Sequence, residues 1–92
     1  MIRSFASRDS EELVRGGSPR KFRSVQAQAE RKLQMLDSAK DLSDLRVPPG
    51  NRLEKLGGDR RGQYSIRIND QWRICFRWRD DGPWDGEIVD YH

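Results

Sequence analysis

Apolar residues return along this chain in two rhythms. Phe22, Val25, Ala29, Leu33 and Leu36 recur at steps of three and four, which places them on one face of a helix. Ser18-Pro19 supplies a start, with Ser as N-cap and Pro at the first helical position, where its missing N–H costs nothing. This predicts an amphipathic helix to about residue 38. Before it, a short helix is expected over 9–14, with Asp9 and Glu12 in capping-box-like spacing and Gly16-Gly17 as its end. Leu42 and Leu45 suggest one further turn, and Val47-Pro48-Pro49-Gly50-Asn51 reads as a loop. Ile2, Ser4 and Phe5 suit a short opening strand.

The second half has period two. Tyr64, Ile66 and Ile68 alternate with Ser65, Arg67 and Asn69, and then Trp72, Ile74, Phe76 and Trp78 alternate with Arg73, Cys75, Arg77 and Arg79. Two such runs joined at Asn69-Asp70 predict an antiparallel hairpin with one apolar face and one arginine-lined face. Asp80-Asp81-Gly82-Pro83 turns the chain again, and residues 84–91 form a closing strand. A further strand fits 52–56, followed by the loop Gly57-Gly58-Asp59-Arg60-Arg61-Gly62. The expected fold class is α+β. Two N-terminal helices pack on one face of a small, mostly antiparallel β-sheet, the opposite face stays open, and residues 1–92 form one domain.

Composition sharpens this picture. At 34% hydrophobic and 36% charged residues, a chain of 92 must have a thin core, partly compensated by its aromatic side chains. Eighteen Lys plus Arg oppose fifteen Asp plus Glu, giving +3, a modest lean toward anionic partners. The basic residues are mostly arginine, whose planar fork suits phosphate and stacks on bases. High-GC codon usage explains an arginine excess equally well. The helix positions Arg20, Lys21, Arg23, Arg31 and Lys32 form a basic polar face, usually a solvated one. A lone Cys75 excludes an intrachain disulfide, and its place in an aromatic strand marks a buried thiol. No apolar run reaches membrane-spanning length and no signal-peptide pattern opens the chain, so cytoplasmic residence and no membrane partner are expected.

The chemistry concentrates near the closing strand. RNA cleavage without metal needs a base for the 2′-OH proton, an acid for the leaving 5′-oxygen, and positive charge on the phosphorane-like transition state. Asp90, Tyr91 and His92, the only histidine, stand near Arg73 as candidates. Metal ligands form no cluster in the sequence, and the Gly-rich loop matches neither nucleotide-binding fingerprint. Neither a metal nor a cofactor is expected. Arginines on an open sheet face would grip a phosphate chain. The ordinary alternative is the wet side of an antiparallel sheet, with Arg67, Arg73, Arg77 and Arg79 paired to Asp70, Asp85 or Glu87.

The run Leu53-Glu54-Lys55-Leu56, then Gly58-Asp59, Tyr64-Ser65-Ile66, the strand Asn69-Asp70-Gln71-Trp72-Arg73-Ile74-Cys75-Phe76 and Val89-Asp90-Tyr91-His92 resembles the HigB-type toxins of the RelE/ParE superfamily. Met1-Ile2-Arg3-Ser4-Phe5 fits as well. The resemblance implies a RelE-like toxin domain of a type II toxin–antitoxin system, acting as a metal-independent, ribosome-dependent mRNA endoribonuclease that inhibits translation and growth. Its implied partners are a helix-turn-helix antitoxin of the HigA type, the ribosome and mRNA, with operator DNA reached only through the antitoxin. By matching motif, Arg73 would stabilise the scissile phosphate, and Asp90, Tyr91 and His92 would transfer protons and orient substrate. Lys55, Arg60, Arg61, Arg67 and Arg77 are the RNA-binding candidates.

Some members have a histidine where this chain has Glu54, so either Glu54 is the base or His92 moves a proton with help from Tyr91 or Asp90. Two other functions stay open. One is a non-catalytic inhibitor like the gyrase-binding branch of the superfamily, which lacks the nuclease residues. The other is a regulatory module acting by RNA or antitoxin binding.

Overall fold

A computed structural model describes residues 1–91. Helix α1 (Arg8–Val14) starts at Ser7, whose Oγ accepts the Ser10 N–H at 3.2 Å. Ser7 takes the cap expected from Asp9 because its backbone is extended there, at φ −137° and ψ 145°, as an N-cap requires. Ser10 is fully buried. Its hydroxyl accepts the Ile88 N–H at 2.9 Å, fastening the helix to the sheet.

The long amphipathic stretch divides at Val25. Arg20–Val25 is 3-10 helix, and α2 runs over Gln26–Ser38, ending where the periodicity places its end. Pro19, with no side-chain cap, stands at the N-cap of the 3-10 turn. The Ser18 hydroxyl instead donates to Gln26 Oε1 at 2.6 Å. Two more 3-10 turns, Leu42–Arg46 and Pro49–Asn51, lead to the sheet. The first of these opens with an Asp41 and Asp44 capping box.

Strands β1 (Glu54–Lys55), β2 (Tyr64–Arg67), β3 (Trp72–Arg79) and β4 (Gly82–Asp90) form an antiparallel sheet in sequence order. The α+β architecture is therefore as expected. A 3-10 turn, Gly58–Arg60, lies between β1 and β2. The strand expected over 52–56 shrinks to two residues, because Arg52 is left-handed at φ 45°. The last strand begins earlier than expected, with Pro83 inside it opposite Trp78. Proline is tolerated there because β4 has no further strand along its outer edge. The opening segment lies along that edge: Arg3 N–H donates to Pro83 O at 2.8 Å and Ala6 N–H to Gly86 O at 2.9 Å. Only Phe5, bridged in parallel to Gly86, is strand-like in it.

Asn69 closes the β2–β3 turn by accepting the Gln71 and Trp72 N–H groups on Oδ1, at 2.9 and 2.8 Å, an Asx turn. The register aligns Ile66 with Ile74 and Ile74 with Ile88. These residues, with Ile68, Trp72 and Phe76, meet Leu13, Phe22, Val25, Ala29, Leu33, Leu36 and Leu45 in one core. Phe22 meets Trp72 edge to face, with ring centroids 5.5 Å apart. The helices thus cover one sheet face. The other is less open than the alternation suggests, since Ser65, Arg73 and Cys75 on it are buried. Among the described residues no helix is long and apolar enough to cross a membrane.

Candidate active site

On the helix-free face, neighbouring strands bring polar side chains into rows. Glu54 pairs with Ser65, Ser65 with Cys75 and Cys75 with Glu87, while Arg67, Arg73 and Val89 make the next row. Arg73 stands at the centre of this face, only 8% exposed. Its Nε–H donates to Ser65 Oγ at 2.8 Å and its Nη2 to the Arg52 carbonyl at 2.7 Å. Glu54 Oε2 lies 3.9 Å from the same Nη2, and the Tyr91 ring lies 5.7 Å from the guanidinium carbon. Two neutral acceptors therefore fix the guanidinium, and the Glu54 carboxylate is at the outer limit of an ion pair. A charge held this way is preorganised for an anion.

Tyr91 and Asp90 are positioned through Gln71. The Tyr91 N–H donates to Gln71 O at 2.7 Å, and Gln71 Nε2 donates to Asp90 Oδ2 at 3.1 Å. Tyr91 remains partly exposed, so its ring can meet a ligand. Glu54 and Tyr91 thus gather about Arg73 at one end of this face, whereas Asp90, opposite Trp72 in the register, stands on the other face of the sheet; the His92 assignment lies outside the described residues.

The basic candidates behave differently. Arg67 pairs with Asp70, Arg77 Nε lies 3.5 Å from Asp85, and Arg60 Nη1 lies 3.3 Å from Glu87. These are the acidic partners expected of the wet side of a sheet, and each such pair contributes little stability at its degree of exposure. Lys55 and Arg61 are exposed. Arg79 packs over Trp84, 5.0 Å from its ring centre. Lys32, expected on a solvated helix face, instead turns its Nζ to the buried Asn51 Oδ1 at 2.5 Å.

Ser65, Gln71 and the Arg52 carbonyl belong to the site although sequence reasoning gave them no role. Ser65 had a usable signal: it is the small hydroxyl residue alternating with Arg67 on the polar face, one diagonal step from Arg73. The Arg52 carbonyl had none, because backbone direction at a left-handed residue is not written in side-chain type. Among the described residues no three His, Cys, Asp or Glu side chains converge where a metal ion would be held. Cys75 is fully buried, and burial pushes its thiol pKa up.

Comparison with known proteins now adds to this geometry. The family described as RelE-like toxin of type II toxin–antitoxin system HigB matches residues 13–92. Toxin HigB-1 of Vibrio cholerae serotype O1 is 56% identical over 50 residues, 54% of this chain and 53% of that protein. An uncharacterized protein of Haemophilus influenzae is 39% identical over 51 residues, 55% of this chain and 50% of its own length. The chain thus spans about half the length of the curated relatives it matches. A solved YoeB–YefM complex from Staphylococcus aureus has a TM-score of 0.60 at 19% identity, covering 100% of this chain and 98% of that one. At that identity the likeness speaks for the fold alone.

Proposed function

The chain belongs to the HigB family of RelE-like toxins of type II toxin–antitoxin systems, and from that premise we propose that it is an endoribonuclease cleaving mRNA on the ribosome. The observation that carries this reading is the Arg73 guanidinium, fixed by Ser65 and the Arg52 carbonyl beside Glu54 and Tyr91. In the reaction the RNA 2′-oxygen bonds to the adjacent phosphorus while the bond from phosphorus to the 5′-oxygen breaks. Arg73 balances the charge that builds on the phosphate oxygens. A base removes the 2′-OH proton and an acid delivers one to the leaving oxygen. In this reading Glu54, 3.9 Å from Arg73 and half exposed, serves as the base. His92 is the residue type suited to the second transfer near neutral pH. Tyr91 offers a ring face against which a nucleotide stacks, and Asp90 helps orient this end of the strand.

Lys55, Arg60, Arg61, Arg67 and Arg77 serve in this reading as contacts for the phosphate chain, with the paired arginines exchanging one anion for another. The reaction needs no metal in this scheme, and residues 1–92 act as one toxin domain in the cytoplasm. Its partners are the ribosome, mRNA and an antitoxin of the HigA type that neutralises it and carries any contact with operator DNA. Cleavage of a message bound to ribosomes, compared with the same message alone and repeated with EDTA, tests the proposal. Growth inhibition that persists in Arg73→Ala at equal expression would favour a non-catalytic inhibitor instead.

A further inference from the structure

We infer that Asn51 is a positioning residue for Arg73, acting through the Arg52 carbonyl that Arg73 Nη2 uses as an acceptor. The inference rests on the reading of Arg73 as the phosphate-binding residue. Asn51 is fully buried, yet its amide is engaged at both ends. Oδ1 accepts from Lys32 Nζ at 2.5 Å, and Nδ2 reaches the Leu45 and Val47 carbonyls at 3.2 and 3.4 Å and Met35 Sδ at 3.3 Å. One side chain therefore ties α2 to the segment that precedes the sheet.

The next residue is the one that matters to the site. Arg52 is left-handed, at φ 45° and ψ 59°, a conformation that a residue with a Cβ keeps only where its surroundings hold it. Its carbonyl, aimed by that conformation, meets Arg73 Nη2 at 2.7 Å. An apolar side chain here would leave the Leu45 and Val47 carbonyls without this donor and Lys32 Nζ without its acceptor, so the amide holds the backbone of this segment as well as filling the core. Burial, together with the charges of Arg31 and Arg67, lowers the Lys32 pKa. The ammonium thus meets Asn51 against an electrostatic cost. What the amide adds is a fixed path from α2 through residue 51 to the carbonyl that orients the guanidinium.

The test follows the Arg73 Nε–H resonance in ¹⁵N-labelled protein, steady-state cleavage of ribosome-bound mRNA, and melting temperature in three variants. Asn51→Ala should move or broaden the Arg73 signal and lower kcat about tenfold or more with KM within about twofold, the pattern of a misplaced catalytic group. Lys32→Met, on a partly exposed residue, should do the same in smaller measure at a melting temperature near the parent's. Leu33→Ala, a core truncation away from Arg52, should lower the melting temperature and leave both the signal and kcat in place. Should Asn51→Ala not fold, Lys32→Met decides. An unchanged Arg73 resonance in a folded Asn51 or Lys32 variant overturns the inference, whether or not the protein cleaves RNA. A shifted resonance in a protein whose parent is inactive on ribosomes upholds the positioning role and removes the nuclease reading.

Discussion

Arg73 and Ser65 lie on adjacent strands one register step apart, and the Nε–H of the arginine donates to the serine hydroxyl at 2.8 Å. Because Ser65 pairs with Cys75 and Arg67 with Arg73, the bond runs diagonally across the polar face, where long side chains reach such neighbours. It holds the guanidinium against the sheet. A flexible arginine would spend much of its interaction energy on being ordered by a ligand, and this one is ordered beforehand.

Arg73→Ala should lower cleavage of ribosome-bound message on the order of 10²-fold or more. It also strips Ser65 Oγ and the Arg52 carbonyl of a donor, so a loss of about 1–3 kcal/mol in stability should accompany it. Arg73→Lys keeps the charge without the fork and should recover only part of the rate. Kinetics and denaturant melts of both variants check this; a fully active Arg73→Ala protein would remove the residue from the reaction.

Ser65→Ala should be a milder version of the same lesion. Its removal leaves a buried charged donor short of an acceptor, which costs about 1–3 kcal/mol, and frees the guanidinium to misalign. The expected result is a lower kcat at nearly unchanged KM. Equal loss of rate in a Cys75→Ala control would show that any disturbance of this face has the same effect.

Naked RNA should be cleaved poorly. The site supplies a fixed charge and a few proton carriers on one face of the sheet, and aligning a 2′-OH with a phosphate is worth several kcal/mol more. The ribosome is expected to provide it. Comparable rates on free and ribosome-bound message would contradict this.

His92→Gln should cripple cleavage and remove one limb of its pH profile, because an amide hydrogen-bonds but moves no proton near neutral pH. Activity within about threefold of the parent, under roughly 1 kcal/mol of barrier, would leave Glu54, Tyr91 and Arg73 to carry the reaction.

Cys75 should resist alkylation in the folded protein and react once it is denatured. Burial raises its pKa, so the native state holds the thiol proton more tightly than the unfolded chain does. The sign follows from that: its contribution to stability is complete below the ordinary thiol pKa and is lost as pH rises through the raised value. Urea melts of the parent and Cys75→Ala at neutral and alkaline pH should therefore converge as pH rises. Rapid native labelling at neutral pH would disprove the burial argument.

Much of this arrangement is legible in residue order because it depends on local periodicity. Steps of three and four from Phe22 to Leu36 give a helix that ends at Ser38, and period two from Tyr64 to Trp78 gives a hairpin closed by Asn69. The same alternation puts Arg73 and Ser65 on the polar face, and Glu54 and Tyr91, singled out by motif likeness, join Arg73 there, whereas Asp90 falls opposite Trp72 on the other face. Caps were less legible. Ser7 replaces Asp9, and a 3-10 turn replaces the helix start at Ser18, because several neighbouring residues can cap and packing selects among them.

Sequence by itself determined the α+β class, the two faces of the sheet and the residue types available for phosphate chemistry, since each follows from contacts only a few positions apart. Motif likeness singled out Arg73, but tertiary structure alone decided what holds that arginine in place and which others would be paired on the rim. Arg67, Arg73 and Arg77 are equivalent in an alternating pattern. Only Arg73 finds the Ser65 hydroxyl and the Arg52 carbonyl, whereas Arg67 meets Asp70 and Arg77 meets Asp85. The acceptor that makes the difference is a backbone carbonyl 21 residues away, turned by a left-handed residue. Its direction depends on how α2, Asn51 and the sheet pack together, a relation between distant segments that local spacing does not encode.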